Sequence, residues 1–434
     1  MSDERPILVR YGPPQAPARP ASSADIPTVR MPAIARQRRA AEADVEGARV
    51  AWRPLIRQAL RLWLWTRLLL VILTLATAAL AYGRGRHAVA SPAGLLDLWY
   101  RWDTTAYLHI VEQGYTSVYS AAFFPLYPLL IGAPTHLFGL RSDLLLGLLI
   151  SNLATLVAFI GLLRLAVDEG GDERAAWAAG LALAAYPMAF FLGAAYTEGP
   201  FLAAAVWCLW GMRRGRWYTA AGCALVAALV RPTGLILYAP LLYEFARQHD
   251  WGRRLRGALA PAAATLLASP LGVGVYSLYC ARQFGDPLAW MHSEARYWGR
   301  VSMPLWQALH DTTTYIASLH PLSPAQDKKL IDYIALLLVL VATIALARSQ
   351  PVAFTLYLAG LLYLTLDSPF VISASQHYAV YLSASRYMLP AIPLYLALGR
   401  WERRAPRLAL ACFVGALALQ AVFTIYFLSG GWVA

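Results

Sequence analysis

Four short stretches of this sequence hold ionisable side chains where the surrounding residues are almost all apolar. The first is LWYRWDTTAYLHIVEQGY at 98–115, where Asp103 stands between Trp102 and a stretch carrying Tyr107, His109 and Glu112. An acid flanked by aromatics suits work on sugars. Ring faces stack on sugar rings, and partial burial raises a carboxyl into the range of a general base. The same Asp followed by Thr-Thr-Ala-Tyr also reads as a helix N-cap, and the two roles are compatible. The second stretch is FFLGAAYTEGPF at 190–201, with Tyr196 and Glu198; a carboxylate bounded so tightly by apolar sequence needs a partner or a purpose. The third is ALVRPTG at 228–234, where Pro232 and Gly234 break a helix beside Arg231. An interfacial Arg can simply snorkel, but beside two acids it suits a lipid phosphate. The fourth is SQHYAVYLSASRYMLPAIPLY at 375–395, with His377, Arg386 and Tyr387.

No HExxH, GxSxG, phosphate-loop or dinucleotide motif is present, so the soluble nucleotide-binding chemistries have no footing. Cys208, Cys223, Cys280 and Cys412 lie in apolar context without a CxxC or metal spacing and read as packing.

The elements that position these residues belong to a membrane. Of 434 residues 59% are hydrophobic and 14% charged, against roughly 25% charged in soluble domains. That excludes a disordered chain and argues against a soluble enzyme. Apolar stretches at 62–82, 143–166, 175–195, 200–212, 218–230, 234–246, 259–280, 331–347, 351–366, 387–399 and 408–428 predict an all-α, polytopic membrane protein of about eleven transmembrane helices. Several are shorter than a straight crossing needs, so 200–246 is expected to contain broken or re-entrant pieces, and 123–140 a re-entrant or surface helix. Residues 1–52 read as a disordered, Arg/Pro-rich cytoplasmic tail, and 53–61 as an interfacial helix opening a membrane domain that runs to 428.

The net charge of +13 follows from the positive-inside bias rather than from nucleic-acid binding. Arg213, Arg214 and Arg216, then Arg247, Arg253, Arg254 and Arg256, then Arg400, Arg403, Arg404 and Arg407 form three clusters. Placing them beside a cytoplasmic N-terminus sends two long loops, 83–142 and 281–330, and a shorter one, 367–386, to the outer face. Asp103, Glu198, Arg231 and the His377–Arg386 stretch then share that face. No internal repeat is seen, which weighs weakly against a secondary transporter.

RWDTTAY at 101–107, AFFPLYPLL at 122–130, YPMAFFLGAAYTEGPF at 186–201, VRPTG at 230–234 and SRYMLP at 385–390 together resemble the PIG-V-like mannosyltransferases. These are multispanning glycosyltransferases of the GT-C class. The resemblance covers roughly 99–400 and implies a GT-C fold in the plasma membrane, with a bacterial cell envelope as the expected setting. It implies an inverting transfer of mannose from polyprenyl-phosphate-mannose to an acceptor hydroxyl at the outer face, without a nucleotide sugar. The family's catalytic acid maps onto Asp103, with Trp102 beside it. The family's Tyr-Ser-Glu-Ser pattern maps onto Tyr196, Thr197, Glu198 and Gly199, departing at Thr197 and Gly199. Asp103 would serve as general base, and Arg231 and Arg386 would stabilise the leaving phosphate. Glu198 would orient a sugar hydroxyl or one of those Arg side chains. Trp102, Tyr107, Glu112, Tyr196, His377 and Tyr387 complete the expected substrate-binding set. The expected partners are membrane lipids, the lipid-linked donor and a glycolipid, glycan or protein acceptor. No metal is expected, a divalent ion between Asp103 and Glu198 being the disfavoured alternative. A non-mannose polyprenyl-phosphate donor and a transporter or flippase of a lipid-linked substrate are the alternative readings.

Overall fold

The computed structural model describes residues 51–139, 142–252, 257–319, 324–367, 369–372, 378–381 and 383–433, all within the unit Gly47–Ala434. The tail expected at 1–52 falls almost wholly outside these residues, as do His377, Arg253, Arg254 and Arg256.

The chain runs through α1 (Trp52–Gly83), α2 (Pro92–Asp97), α3 (Asp103–Gln113), α4 (Leu126–Phe138), α5 (Asp143–Asp168) and α6 (Glu173–Ala185). It continues through α7 (Glu198–Arg213), α8 (Trp217–Val230), α9 (Tyr238–Gln248), α10 (Leu259–Phe284), α11 (Ala289–Trp298) and α12 (Leu305–Ser318). After α13 (Pro324–Leu346) and α14 (Val352–Leu366) come β1 (Phe370–Ile372) and β2 (Tyr378–Val380), then α15 (Ala384–Tyr387), α16 (Ile392–Glu402) and α17 (Pro406–Leu428).

Among the described residues five helices are long and apolar enough to cross a membrane: α1, α5, α10, residues Asp327–Leu346 of α13, and α17. The protein is a largely helical, multi-pass membrane protein, and the expectation of eleven spans is corrected to these five. The remaining expected spans correspond to α6, α7, α8, α9, α14 and α16, each of 11 to 16 residues. At 1.5 Å per residue even the longest reaches about 24 Å, short of a hydrocarbon layer of roughly 30 Å. The apolar character of α7 has another cause. It packs against α5 and α8 and is buried along nearly its whole length. A helix that is hydrophobic all round satisfies a protein core as well as it satisfies lipid.

Local sequence explains where these helices stop. Helix α6 ends before Tyr186 because Pro187 disfavours helical backbone at the preceding residue, and Tyr186 is extended at ψ 133. Helix α8 ends at Val230 for the same kind of reason. Arg231 is extended (φ −154, ψ 147) before Pro232, which opens the 3-10 turn Pro232–Leu237. That is the break expected in 200–246. Segment 123–140 contains α4, a 13-residue helix that stops at left-handed Gly139 and is too short to cross. The interfacial helix expected at 53–61 is not separate. It is the first part of the 32-residue α1, because Pro54 sits in the first turn, where a missing N–H is harmless.

The fold is not wholly α-helical. Strands β1 and β2 pair antiparallel, with Phe370 opposite Val380. Backbone bonds from Val371 N–H to Gly299 carbonyl at 2.9 Å and Val301 N–H to Pro369 carbonyl at 3.1 Å tie this hairpin to the segment after α11.

Helices α5 and α7 run in the same direction. At one end the Ser151 hydroxyl donates to Tyr196 carbonyl at 2.7 Å. At the other, Trp210 Nε1 donates to Asp168 at 2.8 Å and Arg213 pairs with Glu169 at 2.6 Å. Arg213 also pairs with Glu244, and Glu244 with Arg247, so this opposite end is laced by ion pairs. The four stretches singled out in the sequence gather at the first end.

Candidate active site

Each charged group of the site sits at a helix end or a break, where the chain turns and a side chain can leave the apolar packing. Asp103 is the first residue of α3. It does not act as the N-cap that its sequence context suggests. The cap is Trp102, held at φ 48 with no side-chain cap bond, a strained conformation for a bulky residue. The Asp103 carboxylate instead accepts a hydrogen bond from Arg386 Nη2 at 2.7 Å. Glu198 opens α7, only 3% exposed. Its Oε1 accepts from Arg386 Nε and from Arg231 Nη1, both at 2.6 Å. One guanidinium thus bridges two carboxylates, and a second guanidinium reinforces one of them. Four segments distant in sequence supply the four groups.

The bridge is held from beneath by aromatic faces and from the side by hydrogen bonds. Arg386, 7% exposed, lies 4.7 Å from the ring centroids of both Phe191 and Tyr196, within cation–π range. The Tyr196 hydroxyl donates to Arg101 carbonyl and accepts from Asp103 N–H, each at 3.3 Å. Thr104 donates to Ala195 carbonyl and Tyr107 to the Thr197 hydroxyl, both at 3.3 Å. The start of α3 is therefore pinned to the turn that precedes Glu198. Gly199 lets α7 approach α5. A Cβ there would stand 2.6 Å from Ser151 carbonyl oxygen and 2.9 Å from the Thr155 hydroxyl, closer than any side chain tolerates.

Sequence reasoning missed several groups that the fold brings to this end. Asp332, inside the apolar α13 and 1% exposed, accepts from Ser383 N–H and Ser385 N–H at 3.0 Å each, and from the Ser385 hydroxyl. It fixes the turn that carries Arg386, with Ser383 in the left-handed region at φ 62. A charged residue within LIDYIALLL is the same signal that singled out Glu198. Arg300 pairs with Glu294 at 2.8 Å and donates to the Tyr387 hydroxyl. Both belong to a polar loop in which a charge does not stand out. Burial raises the Glu294 carboxyl above its ordinary value, Arg300 pulls it down, and the charge of Asp103 raises it again.

Of the residues expected in the site, Asp103, Glu198, Arg231 and Arg386 are in direct contact. Tyr196 lies under Arg386, and Tyr387 has Arg231 6.0 Å from its ring centroid. Tyr107 is buried one layer behind, edge-on to Tyr127 and Phe123. Trp102 is exposed, its indole N–H donating to Gly431 carbonyl at 3.3 Å. Glu112 is exposed toward the far end of α3, nine residues and about 14 Å along the helix from Asp103, and is not brought to the cluster. His377 lies outside the described residues. Among the described residues no group of three or more His, Cys, Asp or Glu is placed to hold a metal ion. Between Asp103 and Glu198, the pair that a divalent ion would have to join, stands the Arg386 guanidinium.

Fold and site together define a multi-pass helical membrane protein with an Arg-bridged pair of carboxylates at one end of its bundle. Residues 86–252 match the family described as Mannosyltransferase (PIG-V), a stretch that includes Asp103, Glu198 and Arg231. The chain is 29% identical over 202 residues to GPI alpha-1,6-mannosyltransferase 2 of Rattus norvegicus, covering 43% of this chain and 41% of that protein. It is 33% identical over 162 residues to the protein of that name from Mus musculus and 32% identical over 162 to that from Cricetulus griseus. The chain spans 41% of the first relative and 33% of each of the others. All three are mammalian and lend no support to a bacterial setting. No solved structure matches the chain.

Proposed function

We propose that this protein is a GT-C-type membrane glycosyltransferase. It transfers mannose from polyprenyl-phosphate-mannose to an acceptor hydroxyl at the outer face of the membrane, with inversion at the anomeric carbon. The observation that carries the reading is the Arg386 bridge between Asp103 and Glu198, joined with the family match over residues 86–252.

In this mechanism the acceptor oxygen attacks the anomeric carbon while Asp103 takes its proton. The bond from that carbon to the phosphate oxygen breaks, and polyprenyl phosphate leaves with the electron pair. Asp103 is suited to the role because Arg386 holds one of its oxygens and the other has no partner among the described residues. Arg231 and Arg386 face charge that grows on the leaving phosphate, so they stabilise the transition state more than the ground state. Each guanidinium carries five N–H donors and spends only one or two on the carboxylates. Glu198 Oε2 is buried without a hydrogen-bond partner among the described residues, which suits an incoming sugar hydroxyl. The acceptor is a glycolipid, a glycan or a protein.

The test is transfer from synthetic polyprenyl-phosphate-mannose to membrane lipid extract by the purified protein in detergent. Wild type is expected to transfer mannose, and Asp103→Asn to lower the rate by about 10²–10⁴-fold, the usual range for a lost general base. Failure of wild type to use any polyprenyl-phosphate sugar would falsify the enzyme assignment, and an active Asp103→Asn would remove Asp103 as base.

A further inference from the structure

Helix α11 lies in the second of the long loops and packs against the 3-10 turn Val118–Ala122 of the first. At that junction Tyr119 stacks on Trp298, centroids 5.0 Å apart and planes 16° apart, and meets Tyr297 edge-on at 5.3 Å. The Ser293 hydroxyl donates to Tyr119 carbonyl at 3.2 Å and fixes the turn against the helix. Tyr119 is 41% exposed and Tyr297 45% exposed, so the stack keeps open ring surface although it is braced by neighbours.

Glu294 stands on the same helix, one turn before Trp298, with its side chain one third exposed. Arg300 holds one oxygen at 2.8 Å, and the other has no partner among the described residues. Arg300 in turn donates to Tyr387, next in sequence to Arg386 and with Arg231 6.0 Å from its ring centroid, so the platform adjoins the Arg-bridged acids. Glu294 feels the charges of Arg300, Asp103, Arg231 and Arg386, and Tyr119 those of Asp103 and Glu294.

We propose that Glu294 and the Tyr119–Trp298–Tyr297 platform form a saccharide subsite for the sugar of the acceptor, beside Asp103 and away from the donor phosphate. Arg300 is engaged by Glu294 and Tyr387, whereas a phosphate meets two guanidiniums together at Arg231 and Arg386. What a carboxylate and an aromatic face together accept is a neutral polyhydroxyl ring: its hydroxyls donate to the acid and its C–H face lies on the ring. The subsite rests on the transferase reading and gives the second long loop a role in choosing the acceptor.

The experiment uses the full chain in detergent, polyprenyl-phosphate-mannose as donor and octyl α-mannoside as acceptor probe. Glu294→Gln is expected to raise the KM for octyl α-mannoside at least tenfold and Tyr119→Leu about fivefold, with the donor KM changed less than twofold in either. The two substitutions lie on different segments, so misfolding of one leaves the other readable. An acceptor KM within twofold of wild type in both variants overturns the subsite, as does a donor KM that rises as much as the acceptor KM. Saturation-transfer NMR of octyl α-mannoside on the same proteins reads binding without turnover. Loss of ring-proton enhancement in both variants supports the subsite, and unchanged enhancement overturns it. This binding measurement decides the subsite even if wild type transfers no sugar, the result that removes the transferase reading.

Discussion

Arg386 is the residue on which the candidate site depends, because it neutralises two carboxylates at once while lying nearly buried. A buried charge is tolerable only when paired, and removing one partner of such a pair destabilises by roughly 3–5 kcal/mol. Glu198→Ala would leave Arg386 without one of its two partners and Arg231 without the carboxylate it meets at 2.6 Å. A loss of that order is expected, read as a large drop in the melting temperature of the detergent-purified protein. Asp103→Asn should move the melting temperature less, because Asp103 is partly exposed and Arg386 keeps Glu198. A larger stability loss at Asp103 than at Glu198 would reverse this ranking. At this scale much of the cluster was legible. Charges near Pro, Gly and apolar runs are scarce in this sequence, and scarcity singles out Asp103, Glu198, Arg231 and Arg386. Glu294 and Arg300 were not legible, since a polar loop hides its charges among others.

The elements do their positioning through close packing and helix breaks. Gly199 shows the first, because α7 touches α5 where any side chain would meet Ser151 and Thr155. Gly199→Ser, which writes in the residue of the related pattern, is therefore expected to destabilise by about 1–3 kcal/mol through overpacking. Thermal melting beside wild type measures it, and an unchanged melting temperature would show that α7 has room to shift. Asp332 shows the second kind of control. It receives two backbone N–H groups and one hydroxyl from the turn that presents Arg386. In Asp332→Asn one of those donors faces an amide N–H₂, a buried mismatch of about 1–3 kcal/mol. The expected result is a several-fold rise in donor KM as the Arg386 turn loosens, with the acceptor KM unmoved. Equal rises in both would mark Asp332 as merely structural. The break at Pro232 was readable, since proline acts locally, whereas the span expected over 175–195 ran across Pro187, where the helix in fact ends at Ala185. The number of spans was not readable, because six apolar helices are too short to cross and one of them, α7, is apolar for the sake of a protein core.

For the whole molecule, the ends of the bundle differ in chemistry. The opposite end holds Arg164–Asp168, Arg213–Glu169 and Arg247–Glu244 pairs, and Arg213 and Arg247 belong to the Arg clusters that set the expected orientation. The proposed topology puts that end in the cytoplasm and the Asp103 end outside. Labelling of intact cells with a membrane-impermeant maleimide tests it in a background where exposed Cys412 is replaced by Ser. Thr116→Cys, on the loop before Tyr119, should label, and Glu173→Cys, at the start of α6, should label only after permeabilisation. The reverse pattern would invert the protein and remove an outer-face site.

Composition was enough to require a membrane, because so few charges over so long a chain leave too much apolar surface for water. Pro232 and Gly234 marked the break at which Arg231 leaves the packing, since backbone geometry there is dictated by one or two residues. Which apolar helices face lipid and which face protein depended on neighbours far away in sequence, as α7 shows between α5 and α8. So did the pairing of Arg386 with Asp103 and Glu198. Those groups lie 283 and 188 residues apart along the chain, and an ion pair depends on distance in space, which no spacing along the chain encodes.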